Sequence, residues 1–114
     1  MIQRFEVGHR LSEMAIYNGV AYLAGQVPLD DNADAYTQTK QTLAEVDKWL
    51  AKASTDKSRI LMATVYLADM ADYAEMNQAW DEWVAENNAP PRAAVEAKLA
   101  NPNWKVEIVV TAAV

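Results

Sequence analysis

The chain has 114 residues, 52% apolar and 23% charged, and its 16 acidic against 10 basic residues give a net charge of −6. A chain of that length holds one domain, 1–114, with one core, and the acidic balance repels phosphate backbones, so no nucleic-acid partner is expected. Cysteine is absent and His9 is the only histidine, which removes disulfides and thiolate nucleophiles and leaves any triad or multi-histidine metal site resting on one residue.

Gly8, Gly19 and Gly25 form no phosphate-cradling loop. No apolar run approaches the roughly 18 residues that span a bilayer, and "MIQRFEVGHR" lacks the apolar core of a secretory signal. A cytoplasmic protein without membrane contact is the expectation.

In chain order, "IQRFEV" (2–7) reads as a short strand, and "MAIYNGVAYLAG" (14–25) as a hairpin. Its Asn18-Gly19 suits a type I′ turn, in which both residues take positive φ. "QVPLDDNAD" is a loop whose Asn32 or Asp34 caps a helix. Over 35–53, Tyr36, Leu43, Val46, Trp49, Leu50 and Ala53 form one helical stripe, with Lys40, Glu45 and Lys48 largely opposite. "ILMATVYLA" (60–68) is a strand apolar on both sides. Asp69 or Asp72 then starts a second helix with Tyr73, Met76, Trp80, Trp83 and Val84 facing inward, a stripe best read as core. "APPRAAVEAKLANPNWKVEIVV" (89–110) closes the chain as two strands around "NPN" (101–103).

The order is βββαβαββ, an α+β chain in which two helices cover one face of a mixed sheet and nothing remains for the other. Strand 60–68 is apolar on both sides nonetheless. The bare face is therefore expected to meet other copies of the chain in a closed homo-oligomer.

Arg92 stands behind Pro90 and Pro91, which stiffen the strand's start and remove two backbone donors. Its neighbours Ala93 and Ala94 are small and leave space above the sheet. A guanidinium so placed either grips a carboxylate through two parallel hydrogen bonds or is a surface residue, solvated or paired with a nearby acid. Glu107, between Val106 and Ile108, either orients or deprotonates a water or is an outward residue bridged to Lys98 or Lys105. Around a short turn the two would stand roughly 13–17 Å apart at the usual strand rise, too far for one small ligand, so a second subunit would have to supply one of them.

"GQVP" (25–28), "ATVYLADMADYAEMNQAW" (63–80) and "PPR…VE…L…VEI" in the last segment resemble the Rid family (reactive intermediate deaminases, also called YjgF), nearest its short YoaB-like branch. The resemblance implies a chorismate-mutase-like fold assembled as a homotrimer with sheets facing inward and clefts between subunits. It also implies cofactor-free hydrolysis of 2-aminoacrylate-like enamines and imines to 2-oxo acids and ammonia. Arg92 matches the arginine that binds the substrate carboxylate, and Glu107 the glutamate credited with positioning water. Ala94 falls where main-chain groups contact substrate, without the cysteine common there.

The family's Gly-Pro-Tyr-Ser-like stretch is replaced by "GHRLSEM". Ser12 matches the serine, Leu11 or nothing stands for the tyrosine, and Arg10 is either a second cation or simply exposed. The alternative reading is a trimer that senses small carboxylates without turnover. A ribonuclease or translation-inhibitor role, also attached to relatives, is opposed by the acidic balance.

Overall fold

The computed structural model describes all 114 residues. Three strands come first, β1 (Gln3–Val7), β2 (Ser12–Tyr17) and β3 (Val20–Leu23). Asn18 and Gly19 join β2 to β3 with φ of 51° and 77°, the two positive values that the hairpin turn requires. Asp34 starts α1 (Ala35–Lys52): its Oδ1 accepts a hydrogen bond from the Thr37 N–H at 2.8 Å, satisfying one of the helix's free donors. Leu43, Val46, Trp49 and Leu50 are buried along the stripe that the spacing marks, whereas Tyr36 is half-buried.

β4 (Ile60–Leu67), α2 (Tyr73–Trp83), β5 (Arg92–Glu96) and β6 (Val106–Ala113) complete the expected βββαβαββ order. Asp69 caps a short 3₁₀ turn, Met70–Asp72, that leads into α2. Two hydrogen bonds tie the helices together: Tyr36 Oη donates to Glu82 at 2.5 Å and Trp83 Nε1 to Asp47 at 2.9 Å. Met76 and Trp80 are core residues as expected, but Tyr73 is 40% exposed.

All strands share one mixed sheet in the order β1-β2-β3-β6-β4-β5, antiparallel except for the parallel β4–β5 pair. Alternation along β6 buries Val106, Ile108, Val110 and Ala112 under the helices. Glu107, Val109, Thr111 and Ala113 point to the other face, which carries no layer within the chain. Tyr22, Met62 and Val95 on that face are 50%, 40% and 40% exposed, as the expected bare face requires.

One expectation about the sheet is corrected. Residues 92–110 are not a hairpin around "NPN": β4 lies between β5 and β6. The connection passes the end of β4, with the Ala97 N–H donating to the Leu67 carbonyl at 2.9 Å and the Ala68 N–H to the Lys105 carbonyl at 3.1 Å. Buried Gln38 of α1 fixes this loop, accepting from the Lys105 N–H at 2.8 Å and donating to the Asn103 carbonyl at 3.2 Å.

Candidate functional site

Arg92 begins β5, the edge strand, beside buried Ala63 of β4. The Pro91 carbonyl accepts the Ala63 N–H at 3.0 Å, so the proline pair ends where pairing starts. Parallel neighbours share a face, and Arg92 therefore points to the helix side. There α2 fills the room that the small neighbours of Arg92 were expected to leave open. Alternation gives the face, and only the tertiary fold says what covers it.

Arg92 Nη1 donates to Asn77 Oδ1 at 2.8 Å and lies 3.8 Å from Met76 Sδ, and Nη2 is 3.5 Å from Tyr73 Oη. The guanidinium carbon sits 5.1 Å from the centroid of the Trp80 ring, a cation–π distance. Every partner is neutral. The ion pair of the chain is Lys48–Glu45, at 3.7 Å, on α1. Glu96, the acid on Arg92's own side of β5, instead accepts the Met70 N–H at 2.9 Å.

Ala94 is half-buried beside Val65. Pro91 and Ala97 both bond to β4, and a parallel ladder uses alternate residues of each strand. The N–H and C=O of Ala94 consequently face the free edge of the sheet.

Glu107 is paired with Tyr66 on β4 and belongs to the bare face. No lysine bridges it: Lys98 and Lys105 make no ion pair with it. Its carboxylate rests instead on Gly25, where an added Cβ would overlap Oε2, and the backbone of Gln26 holds that loop to Ile108 through bonds of 2.8 and 3.0 Å. Arg92 and Glu107 thus lie on opposite faces, three residues and two strand spacings apart, roughly 14 Å. The separation expected from the sequence stands, but the intervening strand causes it rather than a turn.

Ser12 opens β2 opposite Val7 and is half-buried on the same side as buried Met14. It lies far across the sheet from Arg92, with β3, β6 and β4 between their strands. Arg10 and Leu11 are exposed in the turn before it, which the Gly8 N–H closes on the Leu11 carbonyl at 2.8 Å. Neither of the two principal concavities, of about 280 and 200 Å³, touches Arg92 or Glu107.

Asn77 and Gly25 also shape the site, though neither is among the residues that the sequence singles out. Asn77 carried a signal, being a polar residue on the 73, 76, 77, 80 stripe that faces inward. Gly25 carried none beyond its place in "GQVP".

These features define a two-layer α+β protein with an acid-free arginine at one sheet edge and a carboxylate on the bare face. The chain belongs to the Endoribonuclease L-PSP family, whose model matches residues 1–114 and whose members also carry the names RutC and YjgF. It is 75% identical over 114 residues to a RutC family protein of Haemophilus ducreyi, covering 100% of this chain and 97% of that one. It is 48% identical to the RutC family protein YoaB of Escherichia coli, covering 99% and 98%, as the resemblance to the YoaB-like branch implied. A 3-aminoacrylate deaminase RutC of Acinetobacter baylyi is 30% identical over 97 residues, 80% of this chain and 76% of that one. Among solved structures, a YjgF family protein of Neisseria meningitidis matches with a TM-score of 0.96 and 48% identity, covering 99% of this chain and 94% of that one.

Proposed function

We propose that the chain hydrolyses small enamines and imines that bear a carboxylate, releasing a 2-oxo acid and ammonia, in clefts between the subunits of a homotrimer. The carrying observation is that, in a chain of net charge −6, the Arg92 guanidinium has no acidic partner and is held only by neutral groups. A half-buried cation without an acidic partner is matched by a ligand anion, and a planar fork suits a carboxylate. The deaminase name of the Acinetobacter relative supports the same chemistry.

In this reading an enamine first tautomerises to its imine. Glu107 accepts a proton from water as the water oxygen adds to the C=N carbon. Glu107 returns that proton to the nitrogen to give the carbinolamine, whose hydroxyl proton then passes to the amine as the C–N bond breaks, releasing the 2-oxo acid and ammonia. Atoms balance with water as the one co-reactant. Imines of 2-oxo acids are already electrophilic, so general-base action worth about 10²–10⁴-fold is enough.

Because Arg92 and Glu107 face away from each other within one chain, the cleft takes one from each of two neighbouring copies. Burial of the bare apolar face drives that assembly. The free N–H and C=O of Ala94 lie beside Arg92 for contact with the substrate, and Ser12 shapes the wall from the β2 end.

The family name, Endoribonuclease L-PSP, suggests a competing activity. An acidic chain without a basic stripe is poorly suited to a polyanion such as RNA. A carboxylate sensor without turnover is the remaining alternative.

The test couples the purified protein to a pyridoxal-phosphate dehydratase that releases an imine and follows 2-oxo acid formation. The wild type is expected to accelerate it and Arg92→Ala to abolish the acceleration. Equal rates with the two proteins overturn the deaminase reading, and carboxylate binding without acceleration establishes the sensor.

A further inference from the structure

We infer that Asn77 is a positioning residue for the carboxylate site, fixing the direction of the Arg92 guanidinium while leaving its charge unspent. The inference rests on the reading of Arg92 given above and deepens it.

Asn77 Oδ1 stands 2.8 Å from Arg92 Nη1. It lies on the α2 stripe with Tyr73, Met76 and Trp80, all of which approach the same guanidinium. Spacings of three, four and seven residues put these side chains on one helix face. α2 also carries Glu75, Asp81 and Glu82: Glu75 and Glu82 lie off that face, with Glu82 engaged by Tyr36, and Asp81, exposed four residues beyond Asn77, borders it but makes no ion pair with Arg92. The position that meets Arg92 holds the neutral isostere of an aspartate.

The difference between amide and carboxylate decides what the arginine can do. An amide oxygen accepts one N–H and locks the rotamer, leaving the other donors and the full positive charge for a ligand. A carboxylate at the same place would form a charge-assisted, two-point pair and cancel the attraction for an incoming anion. Alanine would release the guanidinium, and the ligand would then have to order it on binding.

The probe is 2-oxobutyrate, a stable small 2-oxo acid, titrated against the full chain by NMR or calorimetry. Asn77→Asp is expected to raise Kd by tenfold or more, and Asn77→Ala by about three- to tenfold. Gln78→Glu adds the same unit of charge one residue along, at an exposed position, and is expected to stay within twofold of wild type. In the coupled assay KM rises for the Asn77 variants, while kcat at saturation stays within about twofold for Asn77→Ala. A purely structural asparagine would move thermal stability without this split.

If Asn77→Asp does not fold, Asn77→Ser, whose hydroxyl falls short of the guanidinium, carries the same expectation as alanine. Wild-type binding by the folded Asn77 variants, with binding lost in Arg92→Ala, overturns the inference and leaves the role of Arg92 intact. Wild-type binding by Arg92→Ala overturns both.

Discussion

The Glu107 carboxylate packs on the bare Cα of Gly25: a methyl built there would overlap Oε2 and lie 2.9 Å from Cδ. The clash is with the far end of a side chain on the sheet's uncovered face, so the backbone has no need to move. Gly25→Ala is therefore expected to leave the unfolding temperature nearly unchanged while swinging the carboxylate away from the water that it is proposed to activate. A misplacement of about 1 Å costs on the order of 10²-fold in rate, and Glu107→Gln removes the base itself, about 10²–10⁴-fold. Parallel melting curves and kcat/KM values check both. A Gly25→Ala protein with wild-type turnover would show that the position of Glu107 is immaterial.

Arg92 distinguishes charge from fork. Arg92→Lys keeps a cation but loses the planar pair of donors and its fit over the Trp80 ring. Hydrogen bonds to charged groups contribute about 1.5–3 kcal/mol, so kcat/KM is expected to fall roughly 10- to 100-fold, chiefly through KM. Steady-state kinetics of the lysine variant measures this, and an unchanged KM would mean that simple charge suffices.

What the sequence disclosed was what is local. Asn18-Gly19 demands positive φ whatever surrounds it, the cap of α1 is a side chain within its own loop (Asn32 or Asp34 by sequence, Asp34 in the fold), and the stripe of α1 is a property of one helix. The partner of β5 was not local. A strand after "NPN" is compatible with a hairpin, and only the pairing of β4 with both β5 and β6 excludes one. The same limit applied to the candidate site. Arg92 was conspicuous behind two prolines, but that α2 lies over it, that Asn77 meets it and that Glu107 points the other way all follow from long-range packing. The family resemblance supplied the pairing of roles that alternation alone left open.

Acid should loosen the N-terminal end of α1 and the turn before β4. Hydrogen bonds from Thr37 hold the Asp34 carboxyl below its ordinary value of 3.8, and Ser58 does the same for Asp56. A depressed carboxyl binds its proton less readily folded than unfolded. Its contribution is therefore present above 3.8 and lost as pH falls through the folded value. Asp34→Asn keeps a capping oxygen without the charge. The stability gap between wild type and this variant should shrink from neutral pH to below 3.8 in urea titrations. A gap independent of pH would contradict the assignment.

Gln38 ties α1 to the loop that carries the chain from β5 to β6. It is fully buried and serves the Lys105 N–H and the Asn103 carbonyl at once. Gln38→Leu fills a similar volume but leaves the N–H of half-buried Lys105 without its partner, at up to about 1–3 kcal/mol for an unsatisfied donor. Denaturant unfolding should register that loss. Hydrogen exchange should locate it at 103–105, ahead of the rest of β6.

The bare face gives the remaining prediction. Val109 sits on β6, between its neighbours β3 and β4, and points away from the helices, so its side chain makes no contribution to the core of the single chain. If that face joins copies of the chain, sedimentation should give about three times the 12.7 kDa of one chain, independent of concentration over a wide range. Val109→Lys would then place a charge in a buried interface without disturbing the helix-side core, and burying an unpaired charge is strongly unfavourable. The variant is expected to sediment as a folded single chain and to lose turnover, because Arg92 and Glu107 can no longer meet across a subunit boundary. Turnover that survives in the dissociated chain would instead require Arg92 to act without Glu107.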